Sequence, residues 1–314
     1  ILMIKVFFVV FANPLPDEAY YWLWSKNRAL SYFDHPPLAT WLQAFLFSFS
    51  DNKYFAIRAL PVISLGFVLT IIIVWQRIMS KRLNYGLCLK SVVLFLAFPI
   101  YAIFFSISFP DHLLITLLFA SSFFLFLYFE TNSKLSHRTY YWYLATLFFS
   151  LALLTKYNAV LLGVGVLVYI SYYKKQIECP SFVHISISII IVAFFQIPVL
   201  LWNISNDFAS FSFHMVERLD QGKNFLAVLN NIVGFISGVI IAFSPIFVFN
   251  LKNNYSFEDY SENRKSFIKM SKFIVVSSVT FCLFLSFFTN VLYYWLTPAI
   301  VLLIPFLVDI LRFK

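Results

Sequence analysis

The sequence predicts an all-α protein that crosses a lipid bilayer many times. Three observations point there. Of 314 residues, 61% are hydrophobic and only 12% are charged, whereas a soluble domain keeps its surface wet with roughly 25% charged residues. Mean hydropathy is +0.84, more apolar surface than a water-facing globule can bury, so lipid must solvate most of the chain. The apolar residues are gathered into long runs between short polar segments. In hydrocarbon each run must be helical, because an open strand leaves its backbone groups unpaired.

Apolar runs fall at 1–12, 55–76, 87–105, 113–129, 140–154, 157–173, 182–201, 225–249, 272–289 and 296–311, which predicts about ten spans. The first run has no small-residue cleavage site and leads into an acidic segment, so it reads as a retained span rather than a signal peptide. Its helix would cover about 18 Å against a hydrocarbon core of about 30 Å. Either the start of this span is missing or the chain begins inside the membrane; with the abrupt end at Lys314, the reading expects a shortened form of something longer. The runs 140–154 and 157–173 form either two spans or one helix interrupted by Lys156. The positive-inside rule decides for two. With two, most of the 23 basic residues share one face, among them Arg77, Lys81, Arg82, Lys174, Lys175, Arg264 and Lys265. Merging them would move the basic 252–272 stretch to the other side.

This orientation puts segments 13–54, 106–112, 155–156, 202–224 and 290–295 on the outer, non-cytoplasmic face and leaves 250–271 as the sizeable cytoplasmic loop. Asp17, Glu18, Asp34, Asp51, Asp111, Asp207, Glu217 and Asp220 all fall on the outer face, which makes it the chemically equipped side. With no internal repeat or soluble domain, residues 1–314 read as a single transmembrane domain.

The formal charge of +9 does not imply a nucleic-acid partner, because the basic residues sit between apolar runs and form no stripe with interleaved aromatics. Cys88, Cys179 and Cys282 are odd in number and far apart, giving neither metal-ligand spacing nor a disulfide framework. His214 is too isolated from other ligands to suggest a metal. No cofactor is expected, although a divalent cation stays open.

The densest polar stretch is PDEAYYWLWS (16–25), followed by YFDHPPL (32–38). Proline ahead of two carboxylates suits a helix start, where negative charge complements the helix dipole. Tyr20, Tyr21, Trp22 and Trp24 would then lie along an interfacial helix. One reading is a capped amphipathic helix with an aromatic belt; the sharper one makes Asp17 a base or electrostatic anchor at the bilayer rim. Lys156 lies between two very apolar segments, where a cation is costly and marks a functional site unless it only snorkels to the interface.

These motifs carry a resemblance. DEAYYWLWS with YFDHPPL resembles the first outer loop of the polyprenyl-phosphate-sugar glycosyltransferases of GT-C fold. That group includes protein O-mannosyltransferases, the aminoarabinose transferase of lipid A and core galacturonosyltransferases. SFPD (108–111), LLTKY (153–157), PVLLWN (198–203) with DFASF (207–211), and YWLTPA (294–299) resemble later family segments in the same order. His112 and Tyr294 stand where other residues are more usual in the family, which bears on substrate choice.

The resemblance implies a GT-C-like enzyme that moves a sugar from a polyprenyl phosphate, undecaprenyl phosphate in a bacterial inner membrane, onto a lipid A, core, glycan or protein acceptor. It implies Asp17 as base, with Glu18 supporting it and Asp111 completing an acidic pocket. Lys156 suits the carrier phosphate, while Arg58 and Arg218 are helpers or interfacial anchors. Tyr20 and His35 belong with the donor, His35 equally as a structural turn residue. Asn203 and Asp207 shape an acceptor loop or simply a turn. Asn203-Ile204-Ser205 also fits a glycosylation sequon, relevant only in a eukaryotic secretory pathway. No glycine-rich phosphate loop is present, so a soluble nucleotide sugar is not expected as direct donor. Two readings of other kinds stand beside this one: a transporter or flippase of a lipid-linked sugar, and an inactive relative acting as a partner subunit.

Overall fold

The computed structural model describes residues 2–49, 53–80, 84–130, 135–217, 225–243, 262–305 and 307. Among these the protein is helical throughout, without strands. The helices are α1 (Leu2–Phe11), α2 (Pro16–Lys26), α3 (Leu38–Phe47), α4 (Lys53–Ser80), α5 (Tyr85–Ala97) and α6 (Pro99–Phe104). They continue with α7 (Pro110–Phe129), α8 (Leu135–Leu153), α9 (Val160–Tyr173), α10 (Phe182–Ser205), α11 (Ala209–Ser212), α12 (Phe225–Ala242), α13 (Glu262–Leu285) and α14 (Thr297–Ile300).

Among the described residues, five stretches are long and apolar enough to cross a bilayer: Ala56–Met79, Pro110–Phe129, Phe182–Ser205, Phe225–Ala242 and Arg264–Leu285. The ten expected runs thus resolve into five full-length candidates plus other helices, several of them shorter, such as Tyr85–Ala97. Helical ends also differ from hydropathy limits. The expected loop 250–271 is helical from Glu262, as part of the helix that runs to Leu285; residues 250–261 lie outside the described ones.

Helix α7 is the axis of the bundle. It is apolar on all sides and 89% buried, as expected of a helix with no solvent or lipid stripe. It packs chiefly on α8 and α4, while α9 packs on α13 and α10 on α8. By contrast α10 is only 6% buried and turns Ile189, Ile190, Phe194 and Leu201 outward, as a lipid-facing helix does. Pro61 and Pro198 sit inside helices α4 and α10, which the membrane environment tolerates.

Runs 140–154 and 157–173 are separate helices. Lys156 is extended, with φ −159° and ψ 137°, and a short 3₁₀ turn at Tyr157–Ala159 restarts the chain into α9. The α9–α13 contact depends on Gly165, where an added Cβ would lie 2.8 Å from the Ile274 backbone. Gly165→Ala is expected to lower stability by about 1–3 kcal/mol through overpacking. Gly66→Ala, with nothing within 4 Å, serves as control. Equal thermal unfolding midpoints for the two variants would remove this contact as a stability determinant.

The segments that hydropathy assigned to one face do meet at one end of the bundle. Ser108 N–H reaches Glu18, Lys156 reaches Asp111, Tyr157 reaches Ser210, and His214 reaches the Asp34 carbonyl. The outer segment folds over this end. Leu38 N–H donates to Leu154 O at 3.0 Å and Trp41 Nε1 to Ala29 O at 2.9 Å. The expected aromatic belt is partly an internal cluster: Trp24 stacks on Tyr32 at 4.3 Å and meets Tyr20 and Tyr21 at 4.4 and 5.5 Å.

Candidate active site

The first turn of α2 sets up the site. Pro16 starts the helix, and the Glu18 carboxylate turns back to accept the Leu15 N–H at 3.0 Å. Successive helical residues point about 100° apart, so burying Glu18 turns Asp17 outward. Glu18 is 0% exposed; Asp17 is exposed, and no hydrogen bond joins its side chain to a described residue. Glu18 instead meets Arg58, with Nε–Oε1 3.2 Å and Nη2–Oε2 2.9 Å. Arg58, expected as a substrate helper or interfacial anchor, is 1% exposed and directs its guanidinium into the protein.

Asp111 follows Pro110 in the first turn of α7, where the helix dipole favours a carboxylate. It is 3% exposed. Lys156 Nζ lies 2.9 and 2.8 Å from its two oxygens and 4.9 Å from the centre of the Tyr294 ring. Asp111, expected to complete an acidic pocket, is thus ion-paired with Lys156, which does not stand alone. His112 turns to the other side of α7, its Nδ1 2.9 Å from Ser64 Oγ.

Asp34 and His35 close the site from the loop after α2. Tyr20 donates to Asp34 Oδ1 at 3.4 Å, and His35 Nδ1 lies 3.4 Å from the same oxygen, without hydrogen-bond alignment. Burial raises the Tyr20 phenol to about 12, with help from Asp34. Burial also lifts Tyr21 far above the phenol range, and the charges of Asp34, Asp111 and Asp17 add to it. Tyr21 thus stands among all three carboxylates as a protonated donor. His35 is pushed below its ordinary 6.5 by burial and by Lys156, with Asp34 opposing. For Asp34, burial acts upward, but His35 and His214 outweigh it and the carboxyl is lowered.

The His35 shift has a consequence for stability. Below pH 6.5 the unfolded chain protonates this imidazole while the folded protein resists, so the unfolded state binds more protons and stability falls as pH falls. The thermal midpoint is expected to drop from pH 6.5 downward, and less steeply in His35→Gln. Identical slopes for both proteins would place the pH dependence elsewhere.

Of these groups, Asp34, His35, Lys156 and Tyr294 line a cavity of about 430 Å³, within the range typical of small-molecule sites. Its polar lining includes Asp34, His35, Lys156, Asn158 and His214, and its apolar lining includes Val160 and Leu161 of α9 and Phe281 and Leu285 of α13. Sequence reasoning overlooked Asp34, Tyr21, Asn158 and His214 as site residues. Asp34 and Tyr21 lay inside motifs already singled out. His214 had no local signal beyond being a lone histidine.

Asn203 and Asp207 form a turn beside the cavity. Asn203 is 0% exposed; its Nδ2 donates to Val199 O at 2.9 Å and its Oδ1 accepts from Phe211 N–H at 3.2 Å. These bonds, with Phe208 N–H to Asn203 O at 2.7 Å, hold Asp207 and Phe208 at φ 52° and 56°, an uncommon conformation for non-glycine residues. Asn203 therefore organises the turn, and its burial closes the sequon to glycosylation. Asp207 is exposed. Arg218 lies outside the described residues.

Comparison with known proteins fits this geometry. The sequence model of the dolichyl-phosphate-mannose-protein mannosyltransferase family matches residues 34–202. Among curated proteins none matches this sequence. In fold, the chain is similar to ArnT from Cupriavidus metallidurans bound to undecaprenyl phosphate, with TM-score 0.74 at 14% identity, covering 99% of this chain and 59% of ArnT. The apo state of the same protein gives TM-score 0.70 at 14% identity over 100% of this chain and 58% of ArnT. The chain thus spans less than two thirds of the length of the ArnT it matches.

Proposed function

Because this membrane protein belongs to the dolichyl-phosphate-mannose-protein mannosyltransferase family of glycosyltransferases, we propose that it transfers a sugar from a polyprenyl-phosphate carrier, undecaprenyl phosphate in a bacterial inner membrane, to an envelope acceptor on the periplasmic side. The observation that carries the reading is the cavity itself, lined by the half-buried Lys156 ammonium and other polar groups together with apolar residues of α9 and α13. That is the shape and chemistry of a lipid phosphate, whose charge needs a cation and whose chain needs hydrocarbon.

In this reading Lys156 holds the phosphate, sharing its ammonium between Asp111 and the carrier. As a compact point charge it needs no fixed approach angle. Asp17, exposed on the first turn of α2, takes the proton from the acceptor hydroxyl. The acceptor oxygen attacks the anomeric carbon, the bond from that carbon to the phosphate oxygen breaks, and the electron pair leaves with the lipid phosphate, stabilised by Lys156. A single displacement of this kind inverts the anomeric centre. Tyr21 and Tyr20 are phenol donors beside the carboxylates, suited to sugar hydroxyls. The acceptor class is a lipid A, core oligosaccharide, other glycan or protein hydroxyl.

The test compares envelope glycolipids and glycoproteins by mass spectrometry from cells with and without the protein. A sugar-sized mass difference that depends on the protein identifies sugar and acceptor together. Identical masses, with the protein confirmed in the membrane, would turn the reading toward a transporter of lipid-linked sugar or an inactive relative.

A further inference from the structure

The Glu18–Arg58 pair joins more of the site than any other polar contact, yet its atoms have no capacity left for a substrate. The two Glu18 oxygens accept from Arg58 Nε and Nη2, from Leu15 N–H, and from Ser108 N–H at 3.0 Å. Arg58 Nη1 donates to Phe8 O at 2.7 Å, Ala12 O at 2.9 Å and Val9 O at 3.3 Å, and Nη2 to Asn13 O at 3.2 Å. The Phe8 ring covers the guanidinium at 4.7 Å.

These contacts follow the logic of helix ends. A helix leaves its last carbonyls and first N–H groups without internal partners. Arg58 satisfies carbonyls at the end of α1, where a cation suits the dipole, and Glu18 satisfies an N–H at the start of α2, where a carboxylate does. The ion pair therefore welds the end of α1 to the start of α2, with α4 as the anchor. The Ser108 contact extends the weld to the turn that leads, three residues later, into Asp111.

We propose that the Glu18–Arg58 pair is a positioning element that sets the placement of Asp17 relative to Asp111 and Lys156 without touching substrate. Asp17 is the residue before Glu18, so any swing of the first turn of α2 moves the candidate base directly. The Ser108 tether holds the other half of the site to the same carboxylate. Small displacements of a reacting group are expensive in rate: about 1 Å can cost 100-fold. This inference rests on the transferase reading above.

The experiment uses the purified full chain in lipid nanodiscs, comparing wild type, Glu18→Gln, Arg58→Gln and the double variant. Three quantities are measured: sugar transfer from polyprenyl-phosphate donors, binding of undecaprenyl phosphate, and thermal midpoint. Glu18→Gln is expected to lower kcat roughly 10- to 100-fold with lipid binding nearly unchanged. The double variant is expected to regain much of the thermal stability that either single change loses, since no buried charge is left unpaired, while kcat stays low. Normal kcat in Glu18→Gln, or a kcat that recovers with stability in the double variant, would make the pair a folding device only. A wild type silent with every donor sinks the transferase reading, and this inference with it; the kinetic outcomes above arise only when wild type is active.

Discussion

Replacing Asp17 by asparagine is expected to reduce sugar transfer by about 10²- to 10⁴-fold, the range attributable to a positioned acid or base, while the protein inserts and folds normally. Asparagine keeps the size and polarity of the side chain but cannot accept a proton near neutral pH. Folding should be nearly indifferent, because Asp17 is exposed and makes no hydrogen bond to a described residue. The one structural cost is the loss of a negative charge at the start of α2, about 0.3–1 kcal/mol. Single-turnover transfer in nanodiscs, alongside the thermal midpoint, separates the two effects. Transfer at the wild-type rate would remove Asp17 from the mechanism and turn attention to Asp34, a partly exposed carboxylate that lines the cavity.

Lys156→Ala has two expected consequences that a second substitution separates. Asp111 is 3% exposed and Lys156 supplies both of its close contacts. Removing the lysine strands a buried carboxylate, which typically costs about 3–5 kcal/mol. Donor-lipid binding should also weaken, by about 1.5–3 kcal/mol for a lost hydrogen bond to a charged group, while acceptor binding changes less. Adding Asp111→Asn should return most of the stability, because the stranded charge is gone, but not the affinity for undecaprenyl phosphate. Affinity that returns together with stability would reduce Lys156 to a counter-ion for Asp111. Equal loss of donor and acceptor binding would point the same way.

Together these experiments divide the polar end of the bundle into three tasks. Asp17 is exposed to solvent on the first turn of α2 and is the proposed base. The Asp111–Lys156 pair presents a cation to the cavity while keeping the apolar interior close to neutral. Glu18 and Arg58 stand behind both and hold the helices that carry them. A charge is tolerated here when a partner or water compensates it, and each of these five side chains meets that condition differently.

Much of this was legible in residue order alone. Composition required a lipid solvent, and the apolar runs located most helices closely, although the helix at 262–285 begins ten residues before its run at 272. The uneven distribution of basic residues grouped 13–54, 106–112, 155–156, 202–224 and 290–295, and parts of these segments meet in the structure. Lys156 stood out because a cation between long apolar runs is costly, whereas Asp17, Asp111 and His35 stood out through motifs that resemble the glycosyltransferase family. Hydropathy is a property of each residue and its neighbours, so a linear sequence exposes it fully.

What only the tertiary structure decided is which distant groups meet. Glu18 and Asp17 are adjacent carboxylates with the same local pattern, and nothing along the chain says which is buried. Forty residues away, Arg58 settles it by capturing Glu18. In the same way Lys156 could snorkel or bind, until its 45-residue partner Asp111 is placed opposite it by the packing of α7. Asn203 reads equally as ligand or turn residue until both of its amide atoms are found engaged by backbone. The physical reason is common to all three. A buried polar group must find a partner, but the partner is chosen by how helices pack, and that depends on shape across the bundle rather than on order along the chain.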